Sequence, residues 1–127
     1  MFDIKDGDTL IATIGCVTEC FNGSPIWSKD PKQPLQFAIM PCEMGKIFQS
    51  HIHKIQKIIP KFATQEFIYV VRGALEAKFF SGDKKFLGIE NLIAGDFVAL
   101  YAGGHGFKVL GEDTLFVEIK TGPYVSV

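Results

Sequence analysis

The chain contains three histidines, His51, His53 and His105. Two of them stand one residue apart in "SHIHK", and Glu66 follows thirteen residues after the second. On an extended strand alternate side chains share a face, so His51 and His53 point the same way, about 6–7 Å apart along the backbone. Two imidazoles so placed can converge on one ion at bond lengths of about 2 Å. A solvent-facing strand carries the same spacing, so the pair alone leaves both readings open. Glu66 adds weight to the first. It opens "EFIYVV", which is apolar on both parities, as a strand covered on both sides must be. A carboxylate at the start of such a strand needs a partner, and a metal ion is one. The other reading of Glu66 is a strand-edge charge that ends the preceding loop.

The elements that must position these residues are strands. "ALEAKFF" alternates, with Leu75, Ala77 and Phe79 on one face and Glu76 and Lys78 on the other. "LQFAIM", "DFVALYA" and "TLFVEIK" are further short apolar runs, and "SGDKK" is a turn signal. No helical period stands out. Strands at about ten-residue spacing predict an all-β sandwich or barrel. Within the first thirty residues "TLIATIGCV" reads as a strand and "FNGSPIWSKDPKQP" as a long loop.

Bulk composition narrows the function classes. A chain of 127 residues with 47% hydrophobic residues suits one domain with a real core. A net charge of −1, with the lysines scattered, gives no electrostatic case for nucleic acid. No segment approaches the roughly 20 apolar residues needed to span a bilayer. The acidic, polar start "MFDIKDGDTL" is unlike a secretory signal, which predicts a cytoplasmic protein with reduced thiols. Cys16, Cys20 and Cys42 agree: they are odd in number and form no CxxC.

The motifs around the histidines resemble those of the cupin superfamily. In "GKIFQSHIH", Gly45 lies six residues before the HxH pair, and "EFIYVVRG" places Gly73 seven residues after Glu66, as in the first cupin motif. "GDFVALYAGGHGF" is similar to the second, with Gly95 and Asp96 at its start and Gly103 and His105 at its end. The chain differs in having twelve residues, "KIQKIIPKFATQ", between the HxH pair and Glu66, where the pattern has three or four. It also has Tyr101 in place of proline, a histidine one residue early, and Val109 in place of asparagine. The motifs span 45–73 and 95–107 of a single domain, 1–127, with 1–34 as a strand and loop extension.

The resemblance implies a double-stranded β-helix, or jelly roll, and a homodimer. It implies His51, His53, Glu66 and His105 as ligands of one divalent transition ion, iron, zinc, nickel or manganese. Imidazole and carboxylate donors suit such an ion chemically, with open positions for Lewis-acid or oxygen chemistry. The expected function is metal-dependent isomerase, epimerase or oxygenase chemistry on a small polar or anionic molecule. A second reading is a metal-free enzyme, because "HIHK" also resembles cupin-type nucleotide-sugar isomerases of surface-polysaccharide synthesis, in which histidine acts as acid or base. A third is a non-catalytic small-ligand module.

Around the ligands, Gln49 shares the parity of His51 and His53, Lys57 shares it if the strand continues, and Tyr101 precedes the glycine turn. All three are candidates for substrate binding. Lys57, beside Lys54 and Lys61, reads more readily as part of a solvated face. Ile55, Ile58, Ile59 and Phe62 predict that the long insertion packs, at the barrel rim or on a second subunit. A turn shortened through Gly103 and Gly104 predicts that His105 and Phe107 face inward and Lys108 outward.

Overall fold

The computed structural model of the chain describes residues 1–20, 22–53 and 63–122. Its strands are β1 (Phe2–Asp6), β2 (Thr9–Cys16), β3 (Ile26–Trp27), β4 (Ala38–Ile39), β5 (Glu66–Arg72), β6 (Ala74–Phe80), β7 (Phe86–Ile93), β8 (Asp96–Leu100), β9 (Gly104–Val109) and β10 (Leu115–Lys120). Among the described residues the only helical element is one 3₁₀ turn, Val17–Cys20. The protein is all-β, as the periodicity predicts. No helix among the described residues is long and apolar enough to cross a membrane.

The strands form three antiparallel sheets. One has five strands in the order β1-β2-β8-β5-β10, one has three in the order β7-β6-β9, and β3 pairs with β4 alone. The two larger sheets enclose the main core. Ala12, Ile14, Ile68, Val70, Val98 and Leu100 from the five-stranded sheet meet Leu75, Ala77, Phe79 and Leu92 from the three-stranded one, all buried. Side chains of alternate residues leave a strand on opposite faces. In β6 that alternation buries Leu75, Ala77 and Phe79 and leaves Glu76 and Lys78 turned outward.

The opposite face of the five-stranded sheet is also covered, which explains the apolar run of both parities in β5. Phe67, Tyr69, Phe97 and Ala99 pack beneath Val17, Cys20, Ile26, Leu35, Phe37 and Ile39. The first 34 residues therefore do more than extend the domain. β1 and β2 complete the five-stranded sheet, with β2 laddered on β8, and the chain beyond them caps its outer face. β7, "FLGIENLI", has weak alternation and was not evident from the sequence; its ladder to β6 holds it.

"LQFAIM" forms less strand than its composition suggests, only Ala38–Ile39. The stretch from 40 to 53 has no strand at all. Of the insertion expected to pack, 54–65, residues 54–62, which include its isoleucines and Phe62, lie outside the described residues. Its last residue, Gln65, is buried at 2% exposure.

Candidate functional site

Glu66 and His105 come from different sheets and meet. Glu66 is the first residue of β5, paired with Leu100 of β8 on one side and Lys120 of β10 on the other. His105 lies on β9, opposite Phe79 of β6. Both side chains project into the space between the sheets, at one end of the apolar core. There the His105 Nε2 lies 3.0 Å from the Glu66 Oε2. With Glu66 ionised, that contact requires a proton on Nε2; in the neutral imidazole Nδ1 is then the accepting nitrogen.

The turn before β9 sets this geometry. Gly45, Gly73, Gly95 and Gly103, the glycines of the two motifs, all have positive φ. At Gly103 the constraint is severe: φ is +71°, and a Cβ would stand 2.2 Å from the Phe80 carbonyl oxygen. Only glycine fits so close an approach in that conformation. Gly104 is already the first residue of β9. β9 therefore enters the ladder with His105 opposite Phe79 and Phe107 opposite Ala77. The His105 and Phe107 rings lie on one face with centroids 5.4 Å apart, Phe107 packs on the core, and Lys108 is exposed.

Two residues that the sequence reading passed over complete this end of the sheet. The Lys120 Nζ lies 3.5 Å from the Glu66 Oε1, and Lys120 is also ion-paired with Glu118. Glu118 and Lys120 share a face of β10 because they are two residues apart, and register with Ile68 and Glu66 puts that face inward. The Glu118 carboxylate, and then Glu66, push the Lys120 ammonium above its usual range. Both oxygens of Glu66 are thus occupied, one by an imidazole and one by an ammonium. The signal in the sequence was the alternation of "TLFVEIK", which becomes informative only once its partner strand is known.

Gln65 anchors the same corner. Its Oε1 accepts from the Leu35 backbone N–H at 2.8 Å, and its Nε2 donates to the Tyr101 carbonyl at 3.2 Å and the Gln33 Oε1 at 2.8 Å. Its backbone is tied to Thr121 in both directions. The start of β5 is therefore fixed against three other parts of the chain.

The HxH pair is placed differently. His51 and His53 are exposed and lie outside any strand, contrary to the expectation of a strand there. A strand requires a ladder partner, and residues 46–53 have none among the described residues. The two rings still approach, with centroids 4.6 Å apart at 71°. The His51 Nδ1 donates to the Gln49 carbonyl at 2.9 Å, so Gln49 contributes its backbone and not its side chain. The donors stand as two pairs, His51 with His53 and Glu66 with His105. Among the described residues no group of three or more His, Cys, Asp or Glu side chains converges on one point.

Tyr101 does not line this end of the core. It is 4% exposed and packs with Leu35 and Ala99 on the outer face of the sheet, where burial raises its phenol above the ordinary range. The parity that turns Leu100 inward turns Tyr101 outward. Lys57 lies outside the described residues. Comparison with protein-family models, with curated proteins and with solved structures finds no match.

Proposed function

We propose that the Glu66–His105 end of the core is one half of a cupin-type divalent-metal site, completed by His51 and His53, that acts on a small polar or anionic molecule. The observation that carries this reading is the meeting of Glu66 and His105, two residues of separate motifs, across the space between two sheets. Three imidazoles and a carboxylate suit iron, nickel, manganese or zinc. When bound, the ion would supply Lewis acidity to a coordinated substrate. Glu66 would hold His105 in one orientation, and the apolar core behind it, closed by Phe79 and Phe107, would keep water to one side.

The path of the chain supports a double-stranded β-helix. It runs from β5 in the five-stranded sheet to β6 and β7 in the other, back to β8, across to β9 and back to β10. The ribbon formed by β5 with β8 and β6 with β7 continues through β9 beside β6 and β10 beside β5. Such a ribbon needs a second strand at the free edge of β9, drawn from the chain before β5. The stretch with His51 and His53, which forms no strand here, lies in that part of the chain.

Element analysis of protein purified without an affinity tag, followed by titration with iron, nickel, manganese and zinc, tests the reading. About one ion per chain is expected. His51→Ala with His53→Ala, and separately His105→Ala, should abolish binding while the β-sheet circular dichroism stays unchanged. Wild-type protein that binds none of the four ions would overturn the metal site. The same contact also favours a second reading. An imidazole whose Nε2–H is held by a carboxylate is an acid–base pair in its own right. Turnover of nucleotide sugars by metal-free protein, lost in His105→Ala, would select it.

A further inference from the structure

Each oxygen of the Glu66 carboxylate already faces a donor or a cation, which an incoming ion would meet. Oε2 is held by His105 at 3.0 Å and Oε1 faces the Lys120 ammonium at 3.5 Å. His105 can serve as a ligand through its unprotonated ring nitrogen. Lys120 cannot become a ligand while charged, because an ammonium has three donors and no acceptor. Its charge and that of a divalent ion compete for the same carboxylate.

Lys120 has a second partner. Glu118 lies two residues earlier on the same face of β10 and is already ion-paired with the ammonium. Lys120 is therefore able to release Glu66 without becoming unpaired. The side-chain exposures fit a movable group: Glu66 is 16% exposed, while Lys120 and Glu118 are 38% and 35% exposed. The buried end of the network is the carboxylate, and the exposed end is the flexible ammonium with its alternative acceptor. Lysine suits this role because its charge sits on a long stem with free rotation, whereas a guanidinium fork would bind the carboxylate in two places.

We propose that Lys120 is a resident counter-ion that holds Glu66 ready in the metal-free protein and must move onto Glu118 when a divalent ion binds. The inference rests on the metal-site reading above and deepens it. Lys120 is a positioning residue that sets the affinity of the site, and Glu118 acts only through Lys120.

The test is a double-mutant cycle, read by calorimetric titration of Mn²⁺, Ni²⁺ and Zn²⁺ into the full chain, with thermal melting to confirm folding. Lys120→Met removes the competitor and should tighten binding roughly two- to fivefold, the range expected for a partly exposed ion pair. Glu118→Gln removes the alternative partner, concentrates Lys120 on Glu66 and should weaken binding by a similar factor. In the Lys120→Met background, Glu118→Gln should have no further effect, because its action needs the lysine. Lys120→Met that leaves affinity unchanged or lowers it overturns the proposal. So does a Glu118→Gln effect that persists without Lys120, which would make Glu118 a ligand. If wild type and Lys120→Met both bind none of the ions, the metal-site reading has failed and the counter-ion role falls with it. Binding by wild type with a flat cycle, by contrast, removes only the counter-ion role.

Discussion

The two faces of β5 are made from seven consecutive residues, but they are covered in different ways. Ile68 and Val70 look toward the three-stranded sheet and are 1% and 0% exposed. Phe67 and Tyr69 look the other way, into a shell of loop and short strand. Phe67 stacks on Phe97 with centroids 5.4 Å apart and leans on Phe37 at 5.0 Å. Beside them, however, Val117 and Ile119 of β10 border an open apolar groove of about 430 Å³ with Leu35, Phe37 and Ile39. Two regular sheets interdigitate around buried apolar side chains, and at one end Glu66, His105, Lys120 and Glu118 satisfy one another. A capping segment with only two-residue strands covers its sheet in patches. The inner face therefore carries a charged cluster at its end, and the outer face supplies stability around a gap.

The sharpest way to break this contrast is truncation on each face. Phe79 is fully buried between the sheets, and Phe79→Ala is expected to cost about 3–5 kcal/mol in urea unfolding. Ile119, 56% exposed at the groove, should lose less than about 1 kcal/mol when changed to Ala. Equal losses would mean that the groove is closed in solution.

A substitution at the crossing between faces comes next. Gly103→Ala places a Cβ against the Phe80 carbonyl in a left-handed conformation, so a loss of about 2–4 kcal/mol is expected. Chemical shifts of the His105 ring should move as well, because β9 would re-enter the ladder differently. A variant as stable as wild type, with His105 unmoved, would show that the turn does not set the register.

These contrasts also explain what was legible in the sequence. Period-two alternation in "ALEAKFF" and the two-sided apolar run "EFIYVV" report local burial, and the strands they predict are present. The inward parity of His105 and Phe107 follows from glycine chemistry close by in the chain. Lys120 and Glu118 reach Glu66 through a pairing of strands about fifty residues apart, and nothing local in "TLFVEIK" names its partner. The capping role of residues 17–39 was hidden for a related reason. Their apolar residues are irregularly spaced because they fit a surface and not a ladder. Strand formation around His51 and His53 was expected from spacing alone, but backbone pairing decides it.

Gln65 gives a smaller, more local test. It links the start of β5 to the capping segment through Leu35 and to the end of β8 through Tyr101. Gln65→Ala leaves the buried Leu35 N–H without an acceptor, which should cost about 1–3 kcal/mol. Gln65→Glu keeps the acceptor but sets a buried carboxylate against the Tyr101 carbonyl, so at neutral pH it should lose at least as much. Amide exchange should speed up at Leu35 in the alanine variant. Unchanged protection there would show that the cap is held by apolar packing alone.

The smallest expected effect concerns the charged pin of the outer face. Asp3 accepts from the Thr13 hydroxyl at 2.8 Å and from the Lys29 ammonium at 3.0 and 3.1 Å, joining β1 and β2 to the capping segment. Burial alone would raise its carboxyl, but the bonds from Lys29 and Thr13 and the charge of Lys29 outweigh it and hold the group below its usual value of 3.8. A carboxylate depressed on folding contributes stability above its unfolded value, and that contribution is lost as pH falls through the folded one. Asp3→Asn should therefore be less stable than wild type at neutral pH, by no more than about 1 kcal/mol for an ion pair this exposed. The gap should persist down to about pH 4 and close below it, as both proteins come to carry a neutral group at this position. Melting curves of the two proteins from pH 7 to pH 2.5 would measure it. A gap that stays constant over that range would assign the pin to neutral hydrogen bonding.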